Sequence, residues 1–205
     1  MKDLFLPKSS EVVTQPFIDY LCSIYRLDHF GNHGVEHWLR VLYTGRIIAD
    51  AVMANVKVVE LFALLHDCRR NNEGSDPEHG QRAAQLAERL RGQWFEVTDN
   101  EMWQLTEALR HHSDGETFHH PTVQACWDAD RLDVSRLGIR LDPLKLCHTF
   151  SKRPSILDGA IQRSALCSGF NAADVGVGDQ SACEPPASPQ KSDQFAKANI
   201  CGIKP

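Results

Sequence analysis

The chain has 205 residues, a net charge of −5 and a pI near 6.0, enough length for one ordinary domain with a sizeable core. The acidic balance gives no global electrostatic reason to bind nucleic acid. No apolar run approaches membrane-spanning length, and the opening "MKDLFLPKSSEVV" lacks the apolar core of a signal peptide, so a soluble, cytoplasmic protein is expected.

From about Pro16 onward, apolar residues recur at three- and four-residue steps, the signature of amphipathic helices. "PFIDYLCSIYRL" gathers Phe17, Leu21, Ile24 and Tyr25 on one side, and "EHWLRVLYTGRIIADAV" does the same with Trp38, Val41, Leu42, Ile48 and Val52, tolerating Gly45. "VKVVELFALLHD", "DPEHGQRAAQLAERLRG" and "TDNEMWQLTEALRHH" follow. Asp76-Pro77 reads as an N-cap and first turn, Gly92 as a stop, and Asp99 with Met102 as the next opening. "TVQACWDADRLDVSRLG" predicts a last core helix closed near Gly138. Alternating strand patterns and two-residue hairpin turns are absent, so the predicted fold is all-α, a compact helical bundle. Trp94, Phe95, Met102 and Trp103 are expected to pack between helices.

After about Phe150 the composition shifts to Gly, Ser, Pro and isolated charges without a sustained period. Such a segment buries too little apolar surface to offset its ordering entropy. We therefore divide the chain into a helical domain over 1–150 and an irregular, flexible C-terminal segment over 151–205, in which "SILDGAIQRSAL" is a candidate short helix. Seven cysteines, an odd number, fit neither paired zinc-ligand motifs nor a secreted disulfide framework. Cys68 and Cys126 are expected as reduced, packed thiols.

Polar residues interrupt these helices at apolar positions. In "LFALLHDCRR", five apolar residues run into His66 and Asp67, each of which needs a partner to offset lost hydration. His33 and His37 lie four apart, His79 falls in a first turn, and His111 and His112 end a helix. Asp128, Asp130 and Asp133 occupy the last helix. Imidazole nitrogens with carboxylate oxygens suit manganese, iron, cobalt, nickel or zinc, and magnesium less well. A bound dication would offset the desolvation of His66 and Asp67. His29, His119, His120 and His148 are read as structural or solvated.

"EHWLRV", "ALLHD" and "DADRLD", in this order on consecutive helices, resemble the HD-domain superfamily of metal-dependent phosphohydrolases, over roughly residues 29–143. The resemblance implies a helical bundle whose divalent metal is held by His37, His66, Asp67 and Asp130. Asp128 and Asp130 project about 200° apart on a helix, so only one faces the metal, and Asp130 aligns with the family position. Asp128 and Asp133 are then carboxylates that orient a ligand, cap, or pair with Arg131 or Arg136. Two-metal members of the superfamily imply that His79, His111 and His112 bind a second ion bridged by Asp67, or else contact phosphate.

The activity this implies is hydrolysis of a phosphomonoester or phosphodiester, a nucleotide above all, by metal-activated water. Arg69 and Arg70 are candidates to neutralise phosphoryl charge beside Asp67, whereas Glu73 is read as a solvated loop carboxylate, with general-base or water-positioning work as the alternative. The same resemblance leaves two alternatives: a di-iron oxygenase, and a non-catalytic module that binds a nucleotide or a partner. No Gly-rich phosphate loop, Ser-His-Asp arrangement or dinucleotide fingerprint is present.

Overall fold

The structure, a computed structural model, describes residues 10–165. They form α1 (Gln15–Ile24), α2 (Val35–Val52), α3 (Val56–Leu65), α4 (His79–Leu90), α5 (Asp99–His111), α6 (Pro121–Arg131) and α7 (Pro154–Ala165), with 3-10 turns at Val134–Leu137 and Pro143–Lys145. No β-strand occurs among the described residues, and the fold is all-α as the periodicity predicts. No helix among them is long and apolar enough to cross a membrane.

Local chemistry sets the helix starts. Thr14 and Asn55 cap α1 and α3 by accepting the amides of Phe17 and Val58. Thr98 and Glu101 form a reciprocal capping box at α5. The Asp76 expectation is corrected: α4 begins at His79, and the Asp76 carboxylate accepts the Asn71 amide at 2.8 Å and pairs with Arg82 at 2.5 Å. Asp76 therefore braces the loop ahead of α4 and leaves the helix end uncapped by its side chain.

α3 is the centre of the bundle. From Val58 to Leu65 every side chain is buried, so the helix packs on all faces, touching α1, α2, α5 and α6. Its one buried charge, Glu60, is neutralised by Arg46 at 2.7 Å and accepts the Ser10 hydroxyl at 2.5 Å. Two glycines set how closely its neighbours approach. A Cβ at Gly45 on α2 would stand 2.6 Å from Val59 Cγ1 and 3.4 Å from Ala129 Cβ, so the side chains of α3 and α6 pack directly onto the α2 backbone there. A Cβ at Gly80 on α4 would stand 2.4 Å from the Leu109 carbonyl oxygen, so the start of α4 lies against the end of α5.

Of the predicted aromatic stripe, Phe95 and Met102 are buried and Trp94 stacks on Tyr20 and Phe17. Trp103 departs from it: the residue is 46% exposed and leans on His119 and His120, because α5 turns that face away from the core. Cys68 and Cys126 are buried free thiols, and burial pushes both thiol pKa values upward.

Within the segment divided off at residue 151, the candidate short helix in "SILDGAIQRSAL" is present as α7, and it docks on the bundle. Ala160 and Ser164 are buried, and Arg163 lies over the Tyr43 ring and donates to the Thr44 hydroxyl at 3.2 Å. The remainder of that predicted segment, 166–205, lies outside the described residues.

Candidate metal centre

Five helices deliver ionisable side chains to one buried point. His37 projects from the first turn of α2, and His66 terminates α3 with its amide bonded to the Phe62 carbonyl at 2.9 Å. Asp67 follows in the tight turn, closed by Arg70 N to Asp67 O at 3.1 Å. His79 opens α4, His112 closes α5 and Asp130 sits in the last turn of α6. The close crossing at Gly80 is what brings the neighbouring His79 against His112.

The side chains fall into two groups that share one carboxylate. His37, His66 and Asp67 form the first, with Nε2 of His37 3.0 Å from Nε2 of His66 and each nitrogen 3.6 Å from Asp67 Oδ2. Asp130 points Oδ1 at the same pair, 3.3 Å from His37 and 3.7 Å from His66. Asp67, His79 and His112 form the second, in which Asp67 Oδ1 lies 3.4 Å from His79 Nε2 and 3.9 Å from His112 Nε2. The two imidazole nitrogens of this group approach to 2.7 Å. Each oxygen of Asp67 thus faces its own group, the arrangement of a bridging carboxylate.

Proton inventory gives these contacts their meaning. Nδ1 of His66 faces the Ala63 carbonyl at 3.1 Å, Nδ1 of His112 faces the Leu109 carbonyl at 2.8 Å, and Nδ1 of His79 bonds to the Asp76 carbonyl. A carbonyl only accepts, so all three nitrogens carry the proton. Nδ1 of His37 does the same towards Asp133 Oδ2 at 2.7 Å. In the neutral rings every Nε2 is then a bare lone pair, and the lone pairs meet head-on within each group. A proton in each pair would relieve the conflict, but burial opposes it: it drives the His66 pKa down to about 3 and lowers that of His79, the nearby His112 adding to the second effect. Burial alone would raise the Asp67 pKa, but positive charge that His66, His37 and His112 acquire on acidification outweighs it, so the carboxylate titrates below its ordinary range. Buried lone pairs and an anion directed at a common point could hold a cation, and the donor set suits a divalent metal.

Supporting contacts hold the ligands in place. Asp133 accepts from His37 and also from Arg40 Nε at 2.9 Å, which fixes the tautomer and ring orientation of His37. Burial acts to raise Asp133, but hydrogen bonding and charge from His37 and Arg40 hold it down at about 2. Asp128 is buried elsewhere, accepting the amides of Cys147 and His148 at 2.6 and 2.9 Å, and so anchors the chain that follows α6.

Other sequence candidates divide. Arg70 reaches the centre: Nη1 lies 3.5 Å from Asp67 Oδ1 and 3.4 Å from His79 Nε2, while Nη2 is tied to the Gly74 carbonyl at 2.5 Å. Arg69 makes no such contact; its carbonyl accepts Arg82 Nε at 3.1 Å. His111 is not brought to the centre: its side chain is 42% exposed and pairs with Asp114 at 2.7 Å, because adjacent residues at a helix end point about 100° apart and only His112 turns inward. His33 precedes α2 and pairs with Glu73 at 2.7 Å. Sequence reasoning missed Arg40, although it lies within "EHWLRV", and it missed Gly80 and Ser164, whose roles depend on which helices meet.

No curated protein and no solved structure matches the chain. A family model described as "Protein of unknown function (DUF3965)" matches residues 8–153, which takes in every residue of the two metal groups. That match spans well over half of the sequence, and the chain belongs to this family.

Proposed function

We propose that the protein is a metal-dependent phosphohydrolase of the HD type, cleaving a phosphomonoester or phosphodiester, a nucleotide above all. The observation that carries this reading is the sharing of Asp67 between the His37–His66 and His79–His112 pairs, with the Arg70 guanidinium beside both Asp67 and His79. Manganese, iron, cobalt, nickel and zinc are the ions this donor set favours. A divalent cation held there supplies Lewis acidity towards a phosphoryl oxygen and lowers the pKa of water towards 7.

The protein's own groups do the remainder. His37, His66, Asp67 and Asp130 hold one position, and Asp67, His79 and His112 the other. Asp133 and the Ala63, Asp76 and Leu109 carbonyls keep each ring's donor nitrogen facing away from substrate. Arg70, braced by the carbonyls of Asn72 and Gly74, offers a fixed cation to the phosphoryl group as negative charge develops. A cation next to a cation site is costly unless an anion joins them, which favours an anionic substrate over molecular oxygen.

The test is a phosphate-release screen over nucleotides and a generic phosphoester, with chelated protein reloaded with each candidate metal. Metal-dependent release of phosphate supports the reading. Full metal loading without turnover of any phosphoester, or two irons that consume oxygen instead, overturns it.

A further inference from the structure

The hydrogen bonds that orient His37 do not end at Asp133. Ser164, in the last turn of α7, donates its hydroxyl to Asp133 Oδ1 at 2.8 Å, on the oxygen that also takes Arg40 Nε. Ser164, Asp133, Arg40 and His37 are all buried, so none of these bonds competes directly with bulk water. α7 begins at Pro154, just beyond the residues that match the family model. A metal ligand on α2 is therefore aimed through a helix that lies outside the matched region.

How α7 is seated strengthens the point. Its final turn is clamped to α2, with Arg163 over Tyr43 and bonded to Thr44 beside Ser164. A cavity of about 400 Å³ lies beside this contact, lined by Thr44, Ile47, Asp50 and Ala51 of α2 and by Ser155, Ile156 and Arg163 of α7.

We propose that Ser164 is a positioning residue of the metal centre, and that docking of α7 and binding of the metal are coupled. The inference rests on the metal reading of the His37 group. When α7 is seated, the hydroxyl restrains the Asp133 carboxylate and Asp133 restrains the His37 ring. When α7 lifts, Asp133 loses a donor and the ring gains freedom, which weakens its hold on a metal. Linkage makes the effect reciprocal, so a metal at His37 must favour the docked helix by the same factor.

The full-length protein is stripped of metal and titrated with Mn2+ while amide hydrogen exchange is followed across α7. Removal of a group that orients a metal ligand costs about 10- to 100-fold in affinity, which is the rise in Kd expected for Ser164→Ala. Mn2+ should slow exchange in α7 of the wild-type protein and lose that effect in Ser164→Ala. Gln162→Ala changes an exposed residue of the same helix, touching neither the hydroxyl nor the buried face of α7, and should leave the Kd unchanged. Equal weakening by both substitutions, or an unchanged Kd in Ser164→Ala, overturns the proposal while leaving the metal centre intact. If Ser164→Ala does not fold, the wild-type exchange experiment decides alone, and α7 amides indifferent to bound Mn2+ overturn it. A wild-type protein that takes up no Mn2+ removes the metal reading itself, a distinguishable result.

Discussion

Replacing Gly80 with alanine separates the packing of the bundle from the geometry of its centre. The new Cβ would lie 2.4 Å from the Leu109 carbonyl oxygen and 3.1 Å from that of Arg110, where ordinary contact begins at 3.4 Å. Both obstacles are backbone, so the crossing of α4 and α5 must open by about 1 Å. Overpacking of this kind costs ~1–3 kcal/mol, against at most ~1 kcal/mol gained by removing a glycine from a helix. The balance is destabilising, and at roughly 2–4 °C per kcal/mol for a chain of this size the melting temperature should fall by a few degrees. The displacement carries His79 away from His112, whose Nε2 atoms now stand 2.7 Å apart. Binding geometries are held within about 0.5 Å, so the position formed by Asp67, His79 and His112 should lose its ion while the His37–His66 position keeps one. Thermal melting with elemental analysis reads both effects. A Gly80→Ala protein with wild-type melting and wild-type metal content refutes the reasoning.

Three further outcomes are expected. Chelation should lower the melting temperature, since an ion present at 100 times its Kd contributes about 2.7 kcal/mol; unchanged melting after confirmed metal loss would contradict this. Arg70→Gln should reduce phosphate release on the order of 10²-fold while metal content holds, and a variant of wild-type turnover would remove the guanidinium from the proposed chemistry. Burial pushes Asp76 upward, but Arg82 and the Asn71 amide outweigh it and hold the carboxylate below its ordinary range. A depressed pKa adds stability that is complete above about pH 4 and is lost as pH falls through the folded value, so Asp76→Asn should flatten melting temperature against pH below that point. Superimposable acid limbs for the two proteins would show that Asp76 contributes nothing.

The helices of the core were legible because each buries one face, or in α3 all of them, and that requirement writes a period into the chain. His66 and Asp67 were legible because two polar residues closing a fully apolar run demand compensation. Angular reasoning that separated Asp130 from Asp128 applies equally to His111 and His112: His112 follows Leu109 at three residues and shares its buried face, and His111 does not. What stayed hidden depends on which helices meet. Gly80 matters only because α4 crosses α5, and Ser164 only because α7 reaches Asp133. Nothing local announces either. The helix in "SILDGAIQRSAL" was itself legible, but not that it docks on the bundle, because that depends on the surface of α2 and not on the segment's own composition.

The claim on which the account stands is that one carboxylate joins two metal positions. Elemental analysis of wild-type, Asp67→Ala and His79→Ala proteins, loaded and desalted in parallel, tests it directly. The account predicts two ions per chain in the wild type, one in His79→Ala and none in Asp67→Ala. A folded Asp67→Ala protein that keeps its metal would contradict it.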